Sequence, residues 1–146
     1  MRIDRLLETA IYGPDLEVLE RFYVGLLGLE PVARTPGRNS VLRCGASALI
    51  LFDPAASGGT GGPFPPHDGP GRGHIAFCIP LDEFDAWRTR LAAAGVAIER
   101  EVEWPDGNRS LYFRDPAGNS LEFAPPTLWN GLGYREGAAV PKTAAE

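Results

Sequence analysis

The same order of predicted elements occurs twice along this chain. In each half a predicted strand is followed by a helix and then by three more strands. Asp15 and Asp82 are candidate N-caps of the two helices, and a glycine able to end the helix stands at the same distance beyond each, at Gly28 and Gly95. A repeat of this length with matching helix ends predicts a duplicated βαβββ module.

Alternating apolar residues locate the strands, and clusters of glycine, proline, asparagine and aspartate locate the turns. The predicted strands lie at 6–12, 31–35, 40–43, 47–52, 73–79, 97–104, 109–114 and 120–124. The predicted fold class is therefore α+β. One module is expected at 5–53 and the other at 73–126, within a single domain of residues 1–126.

A segment dense in glycine and proline, residues 53–72, separates the two halves. A loop of about twenty residues inside a compact domain is unusual, and such loops are often lids or binding loops. A plain linker between the modules is the alternative. In the tail at 127–146, we expect the last residues to be poorly ordered. The apolar Leu128 and Trp129 are expected to pack on the domain or on a partner subunit.

Composition and charge exclude several functional classes. A hydrophobic content of 44% indicates a globular chain rather than a disordered one. The net charge of −5 and the single lysine make nucleic acid or an anionic membrane surface an unsuitable partner. No signal peptide and no apolar stretch of membrane-spanning length occurs, so a cytoplasmic location is expected. Cys44 and Cys78 lie in apolar strand patterns and are predicted to be buried small hydrophobes rather than a disulfide or a metal pair.

Three of the predicted strands carry one side chain of a metal-ligand type, followed two residues later by alanine. These segments are Glu8-Thr9-Ala10, His74-Ile75-Ala76 and Glu122-Phe123-Ala124. Because a strand alternates its faces, each ligand-type side chain shares a face with a small residue, while bulky neighbours such as Leu7 and Phe77 point the other way. A carboxylate or imidazole beside open space is typical of a metal and substrate pocket. The alternatives are a structural role for His74 and an ion pair between Glu8 and an arginine.

Further candidate residues lie outside these three segments. His67 could act as an acid or base when the 53–72 loop closes, since an imidazole titrates near neutral pH. The simpler interpretation is a solvated histidine in that loop. Arg109 and Tyr112 are candidates for holding a substrate anion or hydroxyl, with surface solvation and core packing as alternatives. Trp104 and Phe64 could line an apolar pocket, or could serve ordinary packing.

Several segments together resemble a known superfamily. Leu7-Glu8-Thr9-Ala10-Ile11-Tyr12, Asp15-Leu16-Glu17, Phe22-Tyr23, Leu26-Leu27-Gly28-Leu29, Gly73-His74-Ile75-Ala76-Phe77 and the stretch from Tyr112 to Glu122 carry the resemblance. The superfamily is that of glyoxalases, bleomycin resistance proteins and extradiol dioxygenases, also called vicinal oxygen chelate proteins. The resemblance covers residues of about 5 to 126, and the closing motif before Glu122 is its most specific single part.

The resemblance implies two paired βαβββ modules whose mixed sheets curl into a cup with helices on the outer face. It also implies a divalent metal on the concave side, held by Glu8, His74 and Glu122, and a small-molecule substrate. Family members are often homodimers, in some cases with the site shared between chains. A monomeric mass in sedimentation equilibrium at micromolar concentration would count against a homodimer here.

Two departures from the family pattern bear on the chemistry. Glu8 stands where a histidine is usual, so the set holds one imidazole and two carboxylates. Such a set suits Mn, Mg or Ca, while Zn, Ni, Co and Fe stay possible. Four-ligand glyoxalases carry a further acid at the end of the first module, where this chain has only apolar residues at 48–52.

The leading expectation is a metal-dependent enzyme in which the metal acts as a Lewis acid on a small oxygenated substrate. A carboxylate, Glu8 or Glu122, or else His67 would move the proton. Lyase or isomerase chemistry is favoured over dioxygenation because of the second carboxylate. The rival is a metal-free protein that binds and sequesters an antibiotic. A thiol transferase of the fosfomycin-resistance type is a third option and would need a cationic groove.

Overall fold

The computed structural model describes residues 6–59, 65, 67–69, 73–104 and 107–128. The chain divides into two compact units. The first contains the described residues up to Gly73 together with Asp115–Asn119, and the second contains His74–Arg114 and the described residues from Ser120 onward. Phe64 and Trp129 lie outside the described residues. The prediction that both modules form one domain stays a prediction.

The first unit contains one mixed four-stranded sheet and two short helices. Its elements are β1 (Glu8–Tyr12), α1 (Leu16–Glu20), a π-helical segment (Arg21–Leu26), β2 (Glu30–Thr35), β3 (Asn39–Cys44), β4 (Ser47–Phe52) and α2 (Pro54–Ser57). The strand order is β1-β4-β3-β2, with β1 parallel to β4 and the other pairs antiparallel. Helix α2 was not expected, and it begins where the Asp53 side chain accepts a hydrogen bond from the backbone N–H of Ala55 at 2.8 Å.

The second unit repeats the same arrangement. Its elements are β5 (His74–Cys78), a 3₁₀ turn (Leu81–Glu83), α3 (Phe84–Ala93), β6 (Ile98–Glu103), β7 (Arg109–Arg114) and β8 (Ser120–Ala124). The strand order is β5-β8-β7-β6, again with the first pair parallel. The predicted α+β class with two βαβββ modules is confirmed. Among the described residues, no helix is both long and apolar enough to cross a bilayer.

The first helix begins as expected but does not continue as a regular α-helix. The Asp15 side chain accepts a hydrogen bond from the backbone N–H of Val18 at 2.9 Å, which caps the helix. After Glu20 the backbone widens into the π-helical segment, which sequence spacing cannot distinguish from an α-helix. The chain leaves the helix at Gly28, whose φ of +77° is the left-handed conformation predicted for it.

The start of the second helix differs from the prediction. Asp82 is not its N-cap, because it lies inside the 3₁₀ turn, and the residue before α3 is Glu83, which makes no side-chain cap. The turn starts at Leu81, directly after Pro80, so the chain begins to coil before Asp82. The helix end is as predicted, with Gly95 at a φ of +70°.

The turn between β7 and β8 is held by a buried network around Asp115. One oxygen of this carboxylate accepts from the backbone N–H groups of Ala117 (3.0 Å) and Asn119 (2.8 Å). The other accepts from the Tyr23 hydroxyl (2.8 Å) and the Asn119 side-chain amide (2.7 Å). Burial first, and then the charge of Asp115, raise the pKa of Tyr23, so its hydroxyl stays a donor. The turn therefore fixes the helix–sheet packing of the first unit.

Asn119 extends this network to two further backbone segments. Its side chain donates to the carbonyl of Tyr12 at 3.2 Å and accepts from the N–H of Gly73 at 2.9 Å. Both groups lie at strand ends, where a backbone polar group would otherwise lack a partner. The closing motif therefore stabilises the fold, in addition to containing the strand that bears Glu122.

Two expectations about burial are wrong. Cys78 is exposed and Cys44 is half-buried, and both are free thiols. Cys78 follows His74 and Ala76 on the exposed face of β5, so it shares the face expected for ligands rather than the core face. Leu7 is expected on the face of the bulky residues, opposite Glu8, but it is 66% exposed, since the regular part of β1 begins only at Glu8.

Candidate metal and substrate site

His74 and Glu122 come together on one face of the second unit. In the parallel pairing of β5 with β8, His74 lies opposite Ser120 and Ala76 lies opposite Glu122. Because Ala76 has only a methyl group, the imidazole and the carboxylate meet above it. Nε2 of His74 lies 3.3 Å from Oε2 of Glu122, and the side chains are 50% and 7% exposed respectively. One donor is therefore open to ligands while the other is nearly buried.

The chemistry of this pair fits a metal ion. Two donors bonded to one ion at about 2.1 Å lie about 3.0 to 3.4 Å apart for bond angles between octahedral and tetrahedral. The 3.3 Å separation of Nε2 and Oε2 falls in this range and is longer than an ordinary N–H···O hydrogen bond. The other oxygen of Glu122, Oε1, is buried without a hydrogen-bond partner among the described residues. A buried carboxylate oxygen in that state is costly unless something compensates it.

Tyr112 lies directly opposite Glu122 in the antiparallel pairing of β7 with β8. Burial first, and then the charge of Glu122, raise the pKa of Tyr112 to about 12. Its ring stacks on His74 with centroids 6.1 Å apart and planes at 24°. Tyr112 thus offers a neutral hydroxyl next to the His74–Glu122 pair.

The two other described candidates for substrate contacts, Trp104 and Arg109, are found at opposite faces of β7. The indole N–H of Trp104 donates to the Ser110 hydroxyl at 2.9 Å, and Ser110 shares a face with Tyr112 two residues on. Arg109 lies on the other face, where it pairs with Glu101 at 3.3 Å and stands over the Phe84 ring at 6.0 Å. The structure therefore places Trp104 on the face of Tyr112 and Glu122, and places Arg109 on the face covered by α3.

Glu8 belongs to the first unit and is exposed at the start of β1. The strand registers show that Glu8 is the counterpart of His74. In the first unit Glu8 lies opposite Ala48, and Ala10 lies opposite Ile50. In the second unit His74 lies opposite Ser120, and Ala76 lies opposite Glu122. The counterpart of Glu122 is therefore Ile50, an apolar residue. Among the described residues, no three His, Cys, Asp or Glu side chains form a cluster suited to a metal. Glu8 as a third ligand stays a prediction.

His67 packs against the first unit. Its Nδ1 is hydrogen-bonded to the Tyr12 hydroxyl at 2.8 Å, and its ring meets Phe52 edge-on with centroids 4.5 Å apart. Its backbone N–H donates to the carbonyl of Ser57 at 3.1 Å. Tyr12 shares the face of Glu8 on β1 because it lies four residues further along the strand. His67 is thus held at the far end of the Glu8 face, and its role in proton transfer stays a prediction.

A cavity of about 380 Å³ lies elsewhere in the first unit. Its lining residues are Glu17, Glu20, Arg21, Val24, Gly25 and Arg34. Arg34 pairs with Glu17 at 3.5 Å and with Glu20 at 3.6 Å, so these charges largely neutralise one another. None of the sequence-predicted site residues lines this cavity. The candidate site is therefore assigned by the chemistry around Glu122 rather than by cavity volume.

Sequence reasoning missed three polar residues on the two ligand-bearing faces. Ser120 and Tyr12 could have been found by extending the alternation from Glu122 and Glu8 in steps of two. Arg100 on β6 lies opposite Tyr112 on β7. Because the register shifts between Ile98 and Arg100, this pairing cannot be predicted from the sequence.

Comparisons with known proteins agree with this architecture. The Glyoxalase/Bleomycin resistance protein/Dioxygenase superfamily profile matches residues 3–123. Metallothiol transferase FosB from Shouchella clausii (strain KSM-K16) is 43% identical over 70 residues, which are 45% of this chain and 47% of that protein. FosB from Lysinibacillus sphaericus (strain C3-41) is 41% identical over 63 residues, 42% of this chain and 44% of that protein. The match thus spans about half the length of these curated relatives.

Solved structures extend the likeness over most of the chain. The crystal structure of lactoylglutathione lyase from Agrobacterium tumefaciens has a TM-score of 0.85 and 39% identity, and the match covers 88% of this chain and 98% of that one. A glyoxalase/bleomycin resistance protein/dioxygenase from Nocardioides has a TM-score of 0.66 and 25% identity, over 86% and 85% of the two chains. This chain therefore belongs to the Glyoxalase/Bleomycin resistance protein/Dioxygenase superfamily.

Proposed function

We propose that this protein is a divalent-metal-dependent enzyme that acts on a small oxygenated organic substrate by lyase or isomerase chemistry. The observation that carries the proposal is the His74–Glu122 pair, whose two donor atoms lie 3.3 Å apart beside a buried carboxylate oxygen without a partner. Family membership and the lactoylglutathione lyase likeness support a metal-dependent activity. Dioxygenation is less suited, because Fe(II) oxygenases typically use two histidines and one carboxylate.

In this proposal, Glu8, His74 and Glu122 hold the ion. A divalent ion bound there would polarise a substrate carbonyl and stabilise a neighbouring oxyanion. Tyr112 would donate a hydrogen bond to a substrate oxygen, because it lies opposite Glu122 on the same face of the sheet. Trp104 would bound the apolar side of the site. Either the exposed carboxylate of Glu8 or the imidazole of His67 would accept a proton from the substrate.

Zinc binding tests the proposed site. Protein freed of metal with a chelator and dialysed is expected to bind one Zn²⁺ in isothermal titration calorimetry. His74→Ala, Glu122→Gln and Glu8→Gln should each weaken binding by about tenfold or more, because each removes one donor. Glu30→Gln is the matched control, since Glu30 lies on edge strand β2 and pairs only with Arg43 at 3.3 Å among the described residues.

The outcomes separate the two classes of function. Wild-type protein that binds none of Zn²⁺, Mn²⁺, Ni²⁺, Co²⁺, Fe²⁺, Mg²⁺ and Ca²⁺, with all variants alike, would contradict the enzyme proposal and favour the metal-free binding protein. Loss in the His74 and Glu122 variants with normal binding by Glu8→Gln would remove Glu8 from the ligand set. Far-UV circular dichroism of each variant separates loss of a ligand from loss of the fold.

A second candidate activity is transfer of a thiol to an electrophilic carbon of an anionic molecule. Two relatives named metallothiol transferase support it. Arg100 adds a structural reason, because it lies opposite Tyr112 and can meet an anion on the face of Glu122. In such a reaction the thiolate opens an epoxide and the resulting alkoxide takes a proton. Consumption of L-cysteine by the Zn²⁺-loaded protein only when fosfomycin is present would favour this activity over lyase chemistry.

The homodimer and the cytoplasmic location remain part of the proposal. Leu6 and Leu7 support a dimer, because both are large, apolar and exposed next to Glu8.

A further inference from the structure

We propose that Ser120 is a positioning residue for His74, which allows the imidazole to move its single proton from one ring nitrogen to the other when a metal ion binds. The inference rests on the proposed function, since it concerns the same site. Neither the family match nor the relatives assign any role to Ser120.

The two ring nitrogens of His74 have different partners. Ser120 lies directly opposite His74 in the β5–β8 pairing, and its Oγ is 3.4 Å from Nδ1. Nε2 faces the other way, 3.3 Å from Oε2 of Glu122. The Tyr112 ring lies beside the imidazole, with centroids 6.1 Å apart and planes at 24°. A half-exposed imidazole with one polar contact at each nitrogen has its orientation set by those two contacts.

Without a metal, the proton belongs on Nε2. A carboxylate attracts the positive end of an N–H dipole even at 3.3 Å, so Glu122 favours a proton on the nitrogen that faces it. A neutral imidazole carries one proton, which leaves a lone pair on Nδ1. The Ser120 hydroxyl can donate to that lone pair.

With a metal at Nε2, the ring proton has to be on the other nitrogen. The lone pair of Nε2 is then used for the ion, so the ring proton must be on Nδ1 and needs an acceptor. One proton leaves Nε2 to water and one is taken from water at Nδ1, so the charge of the ring is unchanged. Ser120 can serve in both states because a hydroxyl rotates and is both donor and acceptor. A carbonyl or carboxylate in its place would serve only the metal-bound state.

The test combines zinc affinity with nuclear magnetic resonance of the imidazole nitrogens. Ser120→Ala should weaken Zn²⁺ binding by about 10- to 100-fold, the usual effect of removing a partner of a metal-ligating histidine. Ser120→Thr keeps the hydroxyl and should bind within about threefold of wild type, well below that loss. Ser40→Ala is the matched control, because Ser40 is a buried serine of the first unit whose hydroxyl has no hydrogen-bond partner among the described residues.

The ¹⁵N signals of His74 give a readout that needs no metal. In metal-free wild-type and Ser120→Thr protein, the signals should report a proton on Nε2 and a hydrogen-bonded Nδ1. Ser120→Ala should shift the Nδ1 signal, whereas Ser40→Ala should not. Zn²⁺ should move the proton to Nδ1 in wild-type protein.

Three results would overturn the proposal. An Nδ1 signal that is the same in wild type and Ser120→Ala would show that the hydroxyl does not contact the ring. Equal Zn²⁺ affinity of these two proteins would show that the contact does not position the ligand. Failure of Ser120→Thr to restore affinity would point to a structural effect of the substitution. Absence of binding of any of the divalent ions tested on wild type is distinct from these, because it rejects the proposed function together with the inference.

Discussion

Replacing Asp115 with alanine is expected to lower the free energy of unfolding by about 3 to 5 kcal/mol. The carboxylate accepts four hydrogen bonds, and it is buried. Alanine would remove an acceptor that both the Tyr23 hydroxyl and the Asn119 amide use, and loss of a partner by a buried donor costs about 1 to 3 kcal/mol. Loss of the buried charge offsets part of this. Urea unfolding followed by circular dichroism measures the change, with an unchanged slope showing a true change in stability.

Asp15→Ala is the matched control for this measurement. Asp15 is an exposed aspartate that accepts one hydrogen bond, from Val18 at the start of α1. Its removal is expected to cost about 1 kcal/mol, the usual effect of losing an N-cap. Tyr23→Phe removes one of the four donors and should lower the free energy of unfolding by about 1 to 2 kcal/mol. This variant tests the network if Asp115→Ala does not fold. A loss for Asp115→Ala no larger than for Asp15→Ala would contradict the network.

Gly13→Ala is expected to destabilise the protein by about 1 to 3 kcal/mol through overpacking. Gly13 is buried after β1, and a Cβ there would lie 2.6 Å from Cδ1 of Leu19 and 2.7 Å from Cβ of Ala117. The Leu19 side chain can rotate, but the methyl group of Ala117 moves only with the backbone of the turn that holds Asp115. The midpoint of urea unfolding and the melting temperature should therefore both fall.

Gly25→Ala provides the control with the same chemical change. Gly25 lies in the π-helical segment, and a Cβ there would meet no atom within 4 Å. Alanine should leave stability unchanged or raise it by up to about 1 kcal/mol, because glycine is the less favourable helix residue. Equal urea midpoints for the Gly13 and Gly25 variants would show that the first unit accommodates a methyl group at Gly13 without loss of stability.

Much of this fold could be predicted because its turns carry strong local signals. The bounds of β4, β7 and β8 agree with the prediction, since Gly45 and the Asp-Pro-Ala-Gly-Asn turn limit the neighbouring strands. The repeated order of elements and the helix-ending glycines Gly28 and Gly95 predict the duplication, although Asp82 is not the N-cap of the second helix. Alternation also identified the exposed face of β5 correctly, because a half-buried strand follows a period of two.

The remaining features depend on contacts between residues far apart in the chain. Tyr23 and Asp115 are separated by 92 positions, so their bond cannot be inferred from either local pattern. Helix α2 was missed because its four residues stand in a segment rich in glycine and proline, whose composition predicts a loop. Arg109 and Tyr112 both looked suited to substrate contacts, and only the pairing of β7 with its neighbours assigns them to different faces. The apolar neighbours of Cys78 predict burial, whereas its spacing of two residues from Ala76 puts it on the exposed face of β5.

The raised pKa of Tyr112 limits how a pH–rate profile of this protein can be interpreted. In the metal-free protein, with the pKa near 12, the phenol keeps its proton across the range in which most enzymes are assayed. An ion held by Glu122 would offset the negative charge that helps to raise this pKa, and would therefore lower it. A basic limb at pH 8 or 9 in the profile of the metal-loaded enzyme would then belong to a group beside the ion, either the phenol or a metal-bound water, whose pKa is about 7 on zinc. The kinetics would report on the ion and its immediate neighbours rather than on the protein without metal.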